Sequence, residues 1–509
     1  LDDEVAVCVD AGTTMIKAVV LDATGREVLV TRRPTTVHRP GPGRSEQDME
    51  QVWTAVADAL REAVERAGRP VRLLALTAQG DGAWTVDAAG DPVRPAVLWN
   101  DARGAAVVER WQADGVLDEA FRIGGSLGNA GLPHAVLEVL ADEEPDVLAR
   151  ADAVLTCGSW LLLRLTGVRG LDPSDASAPW LDLATGDYSD ALLDLYGARR
   201  HARLLPPLLG PGEVHPLTDD AAARTGLPAG LPVVLAPYDV VATALGTGAT
   251  TPGSAVSVLG TTLCTETLVA QADTTGEPGG LTLQLGRPGL LVRAFPTLAG
   301  AGVLDWTAEL LGLPDAAAVC ELAEQAPPGS DGLRVLPYLS PAGERAPFLA
   351  TAASGLFAGV TFDHGRAHVA RAVLEGLAHV VRDCLDAAPQ APRELRLCGG
   401  GAASDLWCTT IADVAGVPVL RSADSEVGAK GALVAAAVAL GEHPDLTAAA
   451  DALVRPRDRF EPDPERRDAH DAAHAEFLAT RDAVRPRWPQ WRAGSAASVS
   501  SSTPGADRG

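Results

Sequence analysis

Apolar and polar positions alternate between two periods along this chain, and the first twenty residues set the theme. Val5 to Val9 is an unbroken apolar, β-branched run, which predicts a buried strand. Asp10, Ala11, Gly12, Thr13 and Thr14 follow, and Ile16 to Leu21 resumes as a second strand with a turn at 22–25. The expected form is a hairpin whose loop presents backbone N–H groups and two hydroxyls, with Asp10 at the strand end. The same grammar returns half a chain later: an apolar strand from Ala255 to Leu259, then Gly260, Thr261 and Thr262, then another strand-like run.

Between these loops the period changes. Met49, Val52, Val56, Leu60 and Val64 stand at helical spacing within 48–67, and Gly68 and Pro70 end that helix. Residues 71–77 read as a strand, with Gln79, Gly80, Asp81 and Gly82 in the loop at its carboxyl end. Residues 84–91 read as a strand and turn. The stretch 95–103 is apolar first and polar after, ending in Trp99, Asn100, Asp101, Ala102 and Arg103. Residues 104–165 read as mainly helical with a polar loop at 124–129, and 206–216 is a proline-rich connection. A strand from Val233 ends in Tyr238 and Asp239, and a helix begins at Val240. The boundary between halves falls at 246–253. In the second half, 299–311, 315–326 and 366–386 read as helices, and 333–337 as a strand. A strand at 395–398 runs into Gly399, Gly400, Gly401, Ala402, Ala403 and Ser404, with a helix at 405–415 behind it. Residues 427–441 and 466–485 read as the last helices, and 492–509 as a disordered tail.

Composition narrows the function. A chain of 509 residues, 47% hydrophobic, is long enough for two ordinary domains. With 42 Lys+Arg against 67 Asp+Glu, the formal charge is -25, which argues against nonspecific nucleic-acid binding or an anionic membrane surface. The seven cysteines show no paired metal-ligand spacing and mostly sit in apolar runs, the pattern of buried small hydrophobes in a reducing compartment. No apolar run is long enough to span a membrane, and the acidic start of the chain reads as no secretory signal, so the expected location is cytoplasmic.

Backbone N–H groups in a glycine-containing turn suit phosphate oxygens, and a carboxylate beside them suits Mg²⁺, directly or through water. An ordinary Gly-Thr turn fits the first loop equally well. The second copy favours a nucleotide polyphosphate held by two loops. Asp239, after an apolar strand and before a helix, reads either as a helix cap or as a base.

Taken in order, the motifs resemble the FGGY carbohydrate kinases, the xylulokinase and glycerol kinase group, over roughly residues 5–455. Asp10, Gly12, Thr13 and Thr14 match the first phosphate loop. Leu98, Trp99, Asp101 and Arg103 match the sugar-contact segment, and Tyr238-Asp239 the catalytic slot. Gly260, Thr261 and Thr262 match the second phosphate loop. Gly399, Gly400, Gly401, Ala402 and Ser404, with Trp407 and Asp413, match the adenosine segment. Glu426 with 428–432 matches the closing helix start.

The resemblance implies an α/β chain of two ribonuclease H-like, actin-like ATPase domains with an interdomain cleft. Residues 1–248 would bind sugar, 249–455 would bind nucleotide, 456–491 would form a helical extension, and 492–509 the tail. It implies Asp239 as the catalytic base, and Gln79, Asp81, Trp99, Asp101, Arg103 and Tyr238 as sugar contacts. Gly12, Thr13, Thr14, Lys17, Gly260, Thr261 and Thr262 would hold ATP phosphates. Gly399 to Ala402 and Ser404 would hold adenosine, and Asp10 and Asp239 would hold Mg²⁺. Trp407 reads as packing. On an alternating strand, Lys17 reads equally as solvent-facing.

Two departures bear on the substrate. Many xylulokinases have Gln-Met-His-Gly where this chain has Gln79-Gly80-Asp81-Gly82, a form that resembles the erythritol and L-xylulose kinase branch. Residues 156–160 lack the Lys-Asp that the family commonly carries before its aromatic residue. The expected activity is ATP-dependent phosphorylation of a terminal hydroxyl on a small acyclic ketose or polyol of the xylulose, ribulose or erythritol type. The expected partners are that small molecule and at most a second copy of the chain, with no nucleic acid and no membrane. The rival readings are an inactive sugar-responsive regulator of the same fold and an actin-like ATPase.

Overall fold

The computed structural model describes residues 3–285, 287 and 289–493. The chain divides into two compact units. One comprises the residues up to Ser254 with 267–294 and 422–456; the other comprises 255–266, 295–421 and the described residues after 456.

The first unit is built on a six-stranded sheet in the order Glu27–Pro34, Met15–Leu21, Val5–Ala11, Val71–Ala78, Pro232–Leu235, His215–Pro216. Val5–Ala11 pairs antiparallel with Met15–Leu21, which sets Asp10 opposite Lys17. It pairs parallel with Val71–Ala78, which in turn pairs parallel with Pro232–Leu235. The unbroken apolar runs of these central strands reflect burial on both faces. Met49–Ala67 packs on the hairpin, its first turn capped by Asp48, whose Oδ1 accepts the Gln51 N–H at 3.1 Å. Val427–Ala439 packs on Val5–Ala11 and Val71–Ala78 and crosses Asp239–Gly246. That crossing is backbone to backbone: a Cβ on Gly431 would lie 1.7 Å from the Ala242 carbonyl oxygen. Buried Lys430 ties this late segment to the first hairpin turn, donating to the carbonyls of Gly25 and, at 3.2 Å, Leu453.

The three parallel strands end on the same side. Their carboxyl ends carry Asp10, the loop 79–82, and Tyr238-Asp239 respectively. Ligands in α/β sheets bind where such strand ends meet.

The strands of the second unit run in the order Leu263–Val269, Ser254–Leu259, Glu394–Cys398, Val419–Ser422, Pro456–Phe460. Arg366–Asp386 packs on Asp405–Ala415, and Arg467–Val484 packs against both. The expected elements recur with small shifts: 299–311 begins its helix at Gly302, and 427–441 ends at Ala439. One strand, Ala153–Leu155, interrupts the stretch read as helical and pairs with Trp84–Val86; three residues are too few to show a period. The cysteines are all free, and among the described residues no helix is long and apolar enough to cross a membrane. Of the expected tail, 494–509 lie outside the described residues. Arg492 at its start donates to the carbonyls of Ser340 and Ala353, both at 2.7 Å.

His379 and His474 meet between Arg366–Asp386 and Arg467–Val484, with Nδ1 atoms 3.3 Å apart. Burial, and then the nearby charges of His474 and His470, push His379 down to about 3. The folded state therefore holds it neutral, whereas the unfolded chain protonates it near its ordinary value. Its contribution is complete above that value and is lost as pH falls toward 3, amounting to about 2 kcal/mol between pH 8 and pH 5. Melting curves at those two pH values are expected to show a smaller acid loss for His379→Gln than for the parent. Equal losses in both proteins would contradict this.

Candidate active site

Asp10 lies under the start of Val427–Ala439: a Cβ on Gly428 would stand 3.3 Å from Asp10 Oδ2. Lys17 Nζ is 3.7 Å from Asp10 Oδ2 and 2.8 Å from Glu426 Oε2, and Arg32 also pairs with Glu426. Burial works against the Lys17 charge, but Asp10 and Glu426 outweigh it and hold Lys17 above its ordinary value. Burial raises Asp10, an effect that Lys17 opposes and Glu426 reinforces. Lys17 is thus the cation of a carboxylate group, with its side chain only 29% exposed.

Asp239 is the first residue of Asp239–Gly246. The capping position belongs to Tyr238, whose side chain makes no capping bond, so the Asp239 carboxyl is not the N-cap. Burial, then the charges of Asp10 and Asp81, push it up to about 8, with the Val240 N–H pulling the other way. A buried carboxyl perturbed into that range by neighbouring acids is a candidate for proton transfer.

Beside these carboxylates is a closed hydrogen-bond ring. Thr13 Oγ1 donates to Gln79 Oε1 at 2.7 Å and accepts the Trp99 Nε1–H at 2.9 Å. Gln79 Nε2 donates to Gln47 Oε1 at 2.8 Å, and Gln47 Nε2 donates to the Thr13 carbonyl at 2.6 Å. A hydroxyl has one proton, and that of Thr13 is on Gln79 rather than directed at a phosphate. Thr14 stands exposed beyond it, and Gly12 N–H closes the turn onto the Met15 carbonyl at 3.2 Å. Gln47 carried no sequence signal, because its partners lie 32 and 34 residues away.

Asp101 and Arg103 sit differently from the expected sugar contacts. Asp101 Oδ1 accepts from Arg103 N and Nε, both at 2.8 Å, and Oδ2 accepts from Ser45 N at 2.7 Å and Arg103 Nη2 at 3.0 Å. Arg103 Nη2 also reaches Glu46 Oε1 at 2.6 Å. Their side chains are 0% and 1% exposed. The carboxylate is saturated by protein donors, so the pair clamps the 98–103 loop onto 45–46.

The loop 79–82 turns at Asp81, which has φ 56°, followed by Gly82 at φ 72°. Aspartate tolerates this left-handed region better than most residues. Gly80 is required by contact: a Cβ there would lie 2.3 Å from Tyr238 Cδ2. The Tyr238 ring fills the space that a larger residue at 80 would take. Tyr238 N in turn donates to Ser174 Oγ at 3.1 Å, and Asp172 Oδ1 accepts Ser174 N at 2.8 Å. The start of Pro173–Trp180 is thereby fixed to the catalytic candidate, a link that sequence spacing does not show.

In the second unit, Gly260, Thr261 and Thr262 form the turn after Ser254–Leu259, with both hydroxyl residues exposed. The turn rests on the start of Gly302–Leu311: Ala301 N donates to the Gly260 carbonyl at 2.8 Å and Gly302 N to the Thr261 carbonyl at 3.0 Å. Beside it is a cavity of about 700 Å³ lined by Gly260, Thr261, Gly400, Gly401 and Ser404. Trp407 forms a wall; it is fully buried and lies against Gly401. Gly399 and Ala402 shape the turn without lining the cavity: Gly399 presses on the Leu259 backbone and Ala402 is buried. Cys320, Glu321 and Glu324 close the other side, residues that no motif flagged.

Family comparison agrees with this layout. The N-terminal domain of the FGGY family of carbohydrate kinases matches residues 5–246, and the C-terminal domain of that family matches residues 255–440. The chain is 32% identical to an erythritol kinase of Brucella abortus (strain 2308), covering 96% of this chain and 97% of that relative. It is 33% identical to a xylulose kinase of Escherichia coli (strain K12), covering 82% and 87%. Among solved structures, the xylulose kinase of Rhodospirillum rubrum superposes with a TM-score of 0.87 at 30% identity, over 95% of this chain and 99% of that one. A chain that both family domains match, end to end with relatives of this identity, is a member of the FGGY family of carbohydrate kinases, with the two-domain α/β fold and the ATP-dependent phosphotransfer of that family.

Proposed function

We propose that this protein transfers the γ-phosphate of MgATP to a terminal hydroxyl of a small, uncharged acyclic ketose or polyol of the xylulose, ribulose or erythritol type. The observation that carries the reading is the placement of Asp239, at a strand end beside Asp10 and Asp81 with its carboxyl pushed up to about 8. Asp239 accepts the proton of the attacking hydroxyl, and direct transfer needs little else from the protein beyond alignment and charge stabilisation.

Asp10 and Asp239 are hard oxygen donors whose charges act on one another, and they are the residues that would hold a divalent cation. Among the described residues no group of three or more such side chains forms a ready metal cage, as befits Mg²⁺ that keeps waters and phosphate oxygens in its shell. When bound, Mg²⁺ supplies charge neutralisation at the phosphates. Lys17 favours the ionised form of Asp10 against the effect of burial. Thr14, and likewise Gly260, Thr261 and Thr262, offer N–H and hydroxyl donors suited to phosphate, whereas the Gly12 N–H is held by the Met15 carbonyl. Gly400, Gly401 and Ser404 line the cavity for adenosine. Gln79, Trp99 and Tyr238 set the sugar pocket's shape, and Asp81 reads hydroxyls.

The roles of the two threonines then separate. Thr261→Val removes an exposed hydroxyl and is expected to raise KM for MgATP, whereas Thr13→Val breaks the Gln79 ring and is expected to raise KM for the sugar. Each loss should be roughly 0.5–3 kcal/mol. Steady-state kinetics with each substrate varied in turn checks this, and a loss on the same substrate in both variants would contradict it.

Charge also bears on the substrate. Asp81 and Asp239 act on the same region, while Arg103 commits Nε and Nη2 to Asp101 and Glu46 and keeps a buried Nη1 with no partner among the described residues. A sugar carboxylate would meet the repulsion of these two acids on burial. Gluconate and related sugar acids are expected neither to be phosphorylated nor to compete with a ketose or polyol. Competition by a sugar acid comparable with that of the matching neutral sugar would overturn the proposed substrate class.

A further inference from the structure

Asp175 is the buried acid that the transfer chemistry leaves unused. It lies in the first turn of Pro173–Trp180 and is 4% exposed. Its Oδ2 accepts the Thr156 hydroxyl at 2.9 Å, and among the described residues no donor reaches Oδ1. A buried carboxyl oxygen without a partner is costly to the folded state. The same turn is tied to the active site through the Tyr238 N–H on Ser174 Oγ. Burial first, then the charges of Asp172, Asp81 and Asp239, hold the Asp175 carboxyl well above the usual range, which sets it in the same electrostatic group. An acid that merely answered the helix start would duplicate Asp172, which already caps that end by accepting the Ser174 N–H.

We propose that Asp175 binds the sugar substrate directly, its Oδ1 hydrogen-bonded to a hydroxyl of the uncharged ketose or polyol, and that it helps determine which of these the enzyme prefers. The identity of the ligand rests on the kinase reading above. A hydroxyl is both donor and acceptor, so it can complete the carboxyl's shell in either protonation state. Thr156 then acts as a positioning residue, its hydroxyl holding Oδ2 so that Oδ1 stays open to the substrate.

The test uses the full chain with erythritol, xylulose and ribulose as probes, and the variants Asp175→Leu and Asp175→Asn. For the probe that most raises the parent's Tm, Asp175→Leu is expected to abolish that rise and to raise KM for the probe by about tenfold or more. KM for MgATP should stay within roughly twofold, which a general loss of structure would not allow. Asp175→Asn keeps shape and hydrogen-bonding capacity, so its KM should rise less while the ratio of kcat/KM between erythritol and the ketoses shifts. A folded Asp175→Leu protein with unchanged sugar KM would overturn the assignment. Should the leucine variant not fold, unchanged KM and unchanged preference in Asp175→Asn would overturn it instead. A parent protein that binds a probe but consumes no ATP would overturn the kinase reading alone, and loss of that binding in Asp175→Leu would still uphold the site.

Discussion

Asp239→Asn is expected to lower kcat by about 10²–10⁴-fold while leaving KM for MgATP within a few-fold of the parent. The amide keeps the size of the side chain and cannot take the hydroxyl proton. Because burial and the charges of Asp10 and Asp81 disfavour the ionised form of Asp239, a neutral amide of the same size should not lower Tm. That combination, activity lost with stability kept or gained, separates a base from a residue that only serves its helix. Retention of a third or more of kcat would return Asp239 to a structural role.

The second large effect is expected at Gly80. A Cβ there already meets the Tyr238 ring at 2.3 Å, so Gly80→Met must displace the ring or the loop. Overpacking of this kind costs about 1–3 kcal/mol, and because Tyr238 adjoins Asp239 the loss should also fall on kcat/KM for the sugar. Tyr238→Gly empties the same space. The double variant Gly80→Met with Tyr238→Gly should therefore recover part of what either change loses, with a coupling of about 1 kcal/mol or more. Measuring Tm and kcat/KM across the four proteins of this cycle decides the point. Losses that simply add would show that residue 80 and the ring do not share one space.

Much of the site is legible in the sequence because each motif falls where a strand ends. Val5–Ala11, Val71–Ala78 and Pro232–Leu235 are parallel, so the polar residues after them gather at one sheet edge without any need to know the partners. Gly400, Gly401 and Ser404 likewise follow a strand and line one cavity. Side-chain partnership is another matter. Asp101 and Arg103 have the chemistry of sugar contacts, but Ser45 and Glu46, some 56 and 57 residues earlier in the chain, take the Asp101 carboxylate and Arg103 Nη2, leaving Arg103 Nη1 without a partner among the described residues. Thr13 looks like a phosphate ligand until Gln79, at a separation of 66 residues, takes its proton. Asp175 has the spacing of an ordinary first-turn acid, and only its idle oxygen distinguishes it. The substitution of Gly80 for a larger residue is visible in the sequence, whereas its cause, the Tyr238 ring, is visible only in space.

The most direct measurement is ADP release from MgATP by the parent protein, with and without xylulose, ribulose, erythritol and glycerol, alongside mass analysis of each sugar. The expected result is ADP formation that depends on one or more of these compounds, with an equal amount of sugar monophosphate carrying the phosphate on a terminal hydroxyl. ADP release at the same rate with every sugar and with none, and no phosphorylated product, would contradict it.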